Sequence, residues 1–145
     1  MQSVTIDEAG AAIAEAISGE HFDWYVAITR GGMVPACAIA QRTGMHQVDT
    51  FCCKSYDKNR QRHNLDCSYK GYFHLKNQRV LVIDDLVHTG KTMHRALVIL
   101  SLFGARKIKT AAIYKKVGSI VEPDYYLHEI PESEWVKFPW ETDNG

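Results

Sequence analysis

The run Val80-Leu81-Val82-Ile83-Asp84-Asp85-Leu86-Val87-His88-Thr89-Gly90-Lys91-Thr92 constrains this chain more than any other segment. Its first four residues are all apolar and read as a strand buried on both faces, the habit of a parallel sheet. Two adjacent carboxylates, Asp84 and Asp85, stand where that strand should end. A small-residue loop follows, and then Met93, Ala96, Leu97, Leu100 and Phe103 recur at helical spacing, with Gly104 as the C-terminal stop. Strand, acidic pair, loop and helix N-terminus in this order predict a ligand beyond the carboxyl end of a strand, where open α/β sheets bind them.

The chemistry of the segment narrows that ligand. Loop amides and the helix dipole favour a phosphate, whereas a bare phosphate would be repelled by the two carboxylates, which suit hydroxyls or Mg²⁺. A phosphorylated, pyrophosphate-bearing ribose uses all of these groups. Gly90-Lys91-Thr92 is not a nucleotide-triphosphate loop, because that motif needs a glycine five residues earlier and Asp85 occupies the position.

The rest of the chain reads as alternating helices and strands. Thr5-Ile6-Asp7-Glu8 is a capping-box pattern that opens a helix with Ile6, Ala9, Ile13 and Ile17 on its inner face. A strand over Trp24–Ile28 leads into the loop Thr29-Arg30-Gly31-Gly32 and a helix from Val34 to Arg42, ended by Gly44. Val48–Lys54 predicts a strand, Lys107–Tyr114 another, and Tyr125–Leu127 a short last one. Residues Ser55 to Lys70 are polar without a clear period, the signature of a long mobile loop. Right-handed βαβ crossovers and a mainly parallel sheet follow from this order.

Composition sets limits. The 145 residues suit a single domain. Seventeen basic and seventeen acidic side chains leave no net charge, against the basic surface expected of a nucleic-acid binder. No apolar run approaches a membrane span and no export pattern opens the chain. Cys37, Cys52, Cys53 and Cys67 lack metal or redox spacing and are expected to be reduced thiols in a cytoplasmic protein. No histidine pair has the helical spacing of a zinc site.

The segment from Val80 to Thr92 resembles the 5-phosphoribosyl-1-pyrophosphate (PRPP) signature of type I phosphoribosyltransferases. Glu129-Ile130-Pro131-Glu132-Ser133-Glu134-Trp135-Val136-Lys137-Phe138-Pro139-Trp140-Glu141 is similar to the C-terminal tail of the short xanthine–guanine and archaeal-type purine members, and the likeness runs from about Phe22 to the chain end. It implies an α/β fold with a mainly parallel twisted sheet flanked by helices and a small C-terminal hood. The implied reaction moves a phosphoribosyl group from PRPP to guanine, xanthine or hypoxanthine, with Mg²⁺ as cofactor, in a homodimer or homotetramer.

The same resemblance implies the roles of particular residues. Asp84 and Asp85 take the ribose hydroxyls and the Mg²⁺ shell, to which Glu141 also contributes. His88, Thr89, Gly90, Lys91 and Thr92 hold the 5′-phosphate. Arg30, Gly31 and Gly32 form the pyrophosphate loop, with a cis peptide at Thr29–Arg30, and Ser55-Tyr56 opens a catalytic lid. Lys115 donates to the purine 6-oxo group, with Lys116 its immediate neighbour; Trp135 stacks on the ring and Val136 offers backbone contacts to its edge. Where 6-oxopurine members usually carry an aspartate, this chain has His88, whose imidazole can also take a proton from N7. Another base, or a PRPP-binding regulator without catalysis, are the alternatives.

Overall fold

The computed structural model describes residues 4–56, 64–70 and 72–142. Its order is α1 (Ile6–Ala16), β1 (Trp24–Thr29), α2 (Met33–Thr43), β2 (Val48–Tyr56), β3 (Asn64–Ser68), a 3-10 turn (Tyr72–Leu75), β4 (Arg79–Val87), α3 (Lys91–Leu102), β5 (Lys107–Lys116) and β6 (Tyr125–Ile130). One six-stranded sheet has the order β3-β2-β1-β4-β5-β6. All neighbours are parallel except β2 and β3. The α/β architecture expected from the sequence is therefore the observed one.

The buried-strand reading of β4 holds residue by residue. Val80 and Val82 pack with Val26, Ile28 and Phe51 beneath Met93, Ala96 and Leu100 of α3. Leu81 and Ile83 pack with Tyr25 and Ala27 beneath Ile13 of α1 and Ala36 and Ile39 of α2. Because successive side chains point to opposite faces, only an unbroken apolar run serves both layers. A third cluster joins Val4 and Ala9 to Ile113, Tyr114, Ile130, Val136 and Phe138, and so seats the C-terminal segment on the sheet. At α1, the Glu8 amide donates to the Thr5 hydroxyl, the N-cap half of the expected box.

The polar stretch Ser55–Lys70 departs from expectation. Its two ends are strands: β2 continues to Tyr56, and Asn64–Ser68 returns antiparallel to it, pairing Lys54 with Asp66 and Ser55 with Leu65. The lid was expected over Ser55–Lys70, and residues 57–63 of that stretch lie outside the described residues. The hairpin was hard to read because β3 is an edge strand of five residues, half-buried at Leu65 and Cys67 and exposed at Asp66 and Ser68. That is too short an alternation to stand out against its polar flanks. The register also sets Cys53 opposite Cys67, and the two are joined in a disulfide. This corrects the expectation of reduced thiols for that pair, while Cys37 and Cys52 are free.

The amino ends of β1 and β4 are locked reciprocally. The Arg79 amide donates to the Asp23 carboxylate at 2.8 Å, and the Asp23 amide donates to the Arg79 carbonyl at 2.8 Å. The Arg79 amide, and then His21, hold the Asp23 carboxyl below its ordinary range. A depressed carboxylate contributes stability above its unfolded pKa and loses it as pH falls through the folded value. Asp23→Ala is expected to cost about 1–3 kcal/mol at neutral pH. In urea titrations the gap from the parent should close as pH drops below about 4.

Candidate active site

The chain moves outward from β1 through β2 to β3, then restarts at β4 and moves the other way through β5 to β6. The direction of travel therefore reverses between β1 and β4, and a crevice opens beyond the carboxyl ends of these neighbours. Two loops meet there. After β1 come Thr29, Arg30, Gly31 and Gly32, with the Thr29–Arg30 peptide cis, as the resemblance implied. Towards the end of β4 come Asp84 and Asp85.

Glycine is required where these loops touch. A Cβ on Gly31 would lie 2.4 Å from a carboxylate oxygen of Asp85, and one on Gly32 would lie 2.2 Å from the Ile83 carbonyl oxygen. The first loop thus runs directly over the second, leaving its backbone open to an anion. Asp84 is buried; its carboxylate accepts from the Asp85 amide at 2.8 Å, and the Asp85 carboxylate accepts from the Leu86 amide at 2.7 Å. Burial first, and then the charge of Asp85, push the Asp84 carboxyl well above its ordinary range; burial also raises Asp85. Two carboxyls taken from water side by side favour a cation or hydroxyl donors beside them.

Beyond Val87 the strand gives way to His88, Thr89 and Gly90. His88 and Thr89 are exposed, and the Lys91 amide donates to the Thr89 hydroxyl at 3.2 Å. Gly90 has φ of 90° and serves as N-cap of α3 with no side chain of its own to cap the helix, so of the first-turn amides it is Lys91 that finds a side-chain acceptor, in Thr89. Ser55 and Tyr56 extend β2 through their backbone.

A cleft of about 1,230 Å³ lies over the crevice. It is lined by Arg30, Gly31 and Asp85 from the two crossing loops, by Cys52, Cys53 and Lys54 of β2, and by Trp135, Lys137, Trp140 and Glu141 of the C-terminal segment. The structure thus brings together Arg30, Gly31, Asp85, Trp135 and Glu141 from the residues singled out in the sequence. Trp135 is 73% exposed, a large aromatic face held in water at the cleft wall. Val136 instead buries its side chain in the third core cluster, which anchors the segment. Sequence reasoning missed Lys54, Lys137 and Trp140. The period-2 alternation of exposed Trp135 and Lys137 with buried Val136 and Phe138 was the available signal for Lys137.

The two lysines ending β5 part company. Neither lines the cleft; the Lys115 ammonium is held by Glu122 and by Glu129, the latter at 3.1 Å. Those carboxylates, Glu122 first, raise the pKa of Lys115, and Lys115 lowers that of Glu122. Lys116, also buried, donates to the Glu132 carbonyl at 2.9 Å and so reaches the segment that carries Trp135.

Among the described residues no three His, Cys, Asp or Glu side chains converge as a metal cage, so Asp84, Asp85 and Glu141 do not form one. A carboxyl pair with no third ligand still fits Mg²⁺, which takes one or two carboxylates and fills its shell from substrate phosphates and water. No helix among the described residues is long and apolar enough to cross a membrane.

Comparison with known proteins agrees with this geometry. The phosphoribosyl transferase domain model matches residues 4–144. A xanthine-guanine phosphoribosyltransferase of Desulfotalea psychrophila is 38% identical over 125 residues, covering 86% of this chain and 74% of that protein. The crystal structure of a purine phosphoribosyltransferase from Pyrococcus horikoshii superposes with a TM-score of 0.84 at 31% identity, over 94% of this chain and 89% of the other. A xanthine-guanine-hypoxanthine phosphoribosyltransferase of Helicobacter pylori shares the fold, with a TM-score of 0.77 at 24% identity over 94% and 88% of the two chains. The chain belongs to the phosphoribosyltransferase family.

Two outcomes test the site. The folded, ligand-free protein binds protons at Asp84 and Asp85 more readily than the unfolded chain, so their ionisation above the raised pKa costs stability. Asp84→Asn should therefore raise the melting temperature at neutral pH, by about 2–4 °C per kcal/mol relieved. The gain should shrink as pH falls towards the ordinary carboxylate range, and differential scanning calorimetry across pH reads both effects. Gly31→Ala should push the loop off Asp85 and lower kcat/KM for phosphoribosyl transfer by about 10²-fold, with circular dichroism confirming an intact fold.

Proposed function

We propose that the protein transfers the 5-phosphoribosyl group of PRPP to a 6-oxopurine, releasing pyrophosphate and forming a nucleoside 5′-monophosphate. The observation that carries this reading is the crossing of the Arg30–Gly32 loop over Asp85 at the sheet's switch point, with Trp135 facing the same cleft. In it the pyrophosphate lies on the Arg30–Gly32 backbone, the ribose hydroxyls meet Asp84 and Asp85, and the 5′-phosphate sits on the amides of residues 88–92. Asp84 and Asp85 would hold Mg²⁺, which would supply charge neutralisation for the leaving pyrophosphate. Most of the rate then comes from orientation and from charges arranged in advance, since the departing pyrophosphate leaves an oxocarbenium-like carbon needing little covalent help. A homodimer or homotetramer in the cytoplasm belongs to this reading as an expectation from the resemblance.

The base stacks on Trp135, a contact worth about 1–3 kcal/mol. The 6-oxo donor in this reading is Lys115, the residue the family resemblance assigns; its ammonium stands at the end of β5 with the solvent-reaching Glu122 and Glu129, while that of its neighbour Lys116 is bound to the Glu132 carbonyl. An ammonium donates and never accepts, so it selects a 6-oxo group over a 6-amino group. The deciding experiment is turnover of labelled PRPP with Mg²⁺ against guanine, xanthine, hypoxanthine, adenine and orotate. Conversion confined to the three 6-oxopurines is expected; preferential use of adenine or orotate, or no turnover at all, would defeat the reading.

His88 stands three residues past Asp85, where a base joined to C1 of the ribose presents N7. His88→Ala should lose about 10²-fold or more in kcat. His88→Asp should remain active and move the acid limb of the rate profile down by about two pH units. Stopped assays from pH 4 to 9, as an order-of-magnitude span of the titration range, read both.

A further inference from the structure

The Lys115 ammonium has three N–H donors to place. One goes to Glu122, on the turn after β5, and one to Glu129 on β6, the latter at 3.1 Å. The fold fixes both partners. Parallel pairing of β5 with β6 sets Lys115 opposite Glu129, and the chain turns at Gly118, where φ is 87°, before it reaches Glu122. The other groups nearby add no charge to this cluster. Tyr126 of β6 sets its ring 5.6 Å from the ammonium, and its hydroxyl is kept neutral by a hydrogen bond to Glu122. The residue of β4 paired with Lys115 is the apolar Val87, and the Lys116 ammonium is turned to the Glu132 carbonyl. The third N–H of Lys115 is the one left for a carbonyl.

Charge then decides which carbonyl suits it. One cation and two carboxylates leave the cluster net negative, and the ion pair keeps the Glu122 carboxyl below its ordinary range, so the balance holds at neutral pH. The bases of the proposed reaction differ in this respect. Xanthine, with carbonyls at positions 2 and 6, loses a ring proton near neutral pH, whereas guanine and hypoxanthine stay neutral there. A lone lysine would draw the xanthine anion in; this cluster repels it. Glu122 and Glu129 are 62% and 44% exposed, so the repulsion is screened and modest.

We infer that Glu122 and Glu129 are specificity-determining residues for the base: they turn the surroundings of the Lys115 donor net negative and rank neutral 6-oxopurines above the xanthine anion. This deepens the proposed reaction and rests on it, with Lys115 as the 6-oxo donor. The two acids act through the lysine and through space, and neither needs to touch the purine.

Steady-state rates with xanthine and with hypoxanthine, at saturating Mg·PRPP and on both sides of neutral pH, test this. In the parent, KM for xanthine should climb relative to that for hypoxanthine as pH rises past neutrality. Glu122→Gln should raise the xanthine-to-hypoxanthine ratio of kcat/KM about 2- to 5-fold above neutrality. Glu129→Gln should act in the same sense, and the double variant should exceed either. Below neutrality, where xanthine is itself uncharged, the ratios of parent and variants should converge. Glu122→Asp, which keeps the charge, should keep the parent ratio. A relative KM for xanthine that stayed flat with pH in the parent would overturn the inference and leave the proposed reaction standing. So would a ratio that no Gln variant moved, or a loss of both bases to the same extent at every pH. A parent protein that converted none of the 6-oxopurines would remove both.

Discussion

The contact between the backbone of Gly31 and the carboxylate of Asp85 is the constraint on which the site depends. It joins the ends of two neighbouring strands whose connections run in opposite directions across the sheet, and it admits no side chain. The parallel pairing of Trp24 to Ala27 with Val80 to Ile83 brings the two loops to the same height, and the clusters on both faces keep that register. Slippage by one residue would turn Leu81 and Ile83 to the wrong layer. Core packing and loop geometry are thus one requirement expressed twice.

The site stores an electrostatic cost rather than an interaction. Asp84 is buried with Asp85 half-buried beside it, and both are pushed towards their neutral forms. Such a pair weakens the ligand-free fold and strengthens the attraction for whatever brings positive charge or hydroxyl donors. The cleft supplies opposite charges through Arg30, Lys54 and Lys137, which suit a substrate that arrives with several phosphates. Trp135 adds an apolar face that a purine can cover. In the proposed reaction, phosphates, ribose and ring would each meet a chemically distinct surface supplied by a different part of the chain.

Adjacent residues at the end of one strand meet separate partners for a similar geometric reason. Lys115 and Lys116 are both buried at the end of β5, yet one is tied to Glu122 and Glu129 and the other to the carbonyl of Glu132. Their side chains leave the strand in opposite senses. The strand Asn64–Ser68 shows the same logic, since its alternation directs Cys67 onto Cys53 while Asp66 and Ser68 face solvent.

Much of this was legible in local pattern. The apolar run of β4, the helix periods of α1 and α3, the glycine stops and the acidic pair are properties of short segments, and short segments carry them in their spacing. Trp135 and the Arg30–Gly32 loop were legible only through likeness to a family, because a lone tryptophan or a glycine pair has no periodicity to read. The order of strands, the disulfide between Cys53 and Cys67, the edge hairpin and the separate partners of Lys115 and Lys116 were decided by tertiary structure. Each depends on which residues from distant parts of the chain lie opposite one another, and pairing partners are a property of register and packing rather than of any one segment.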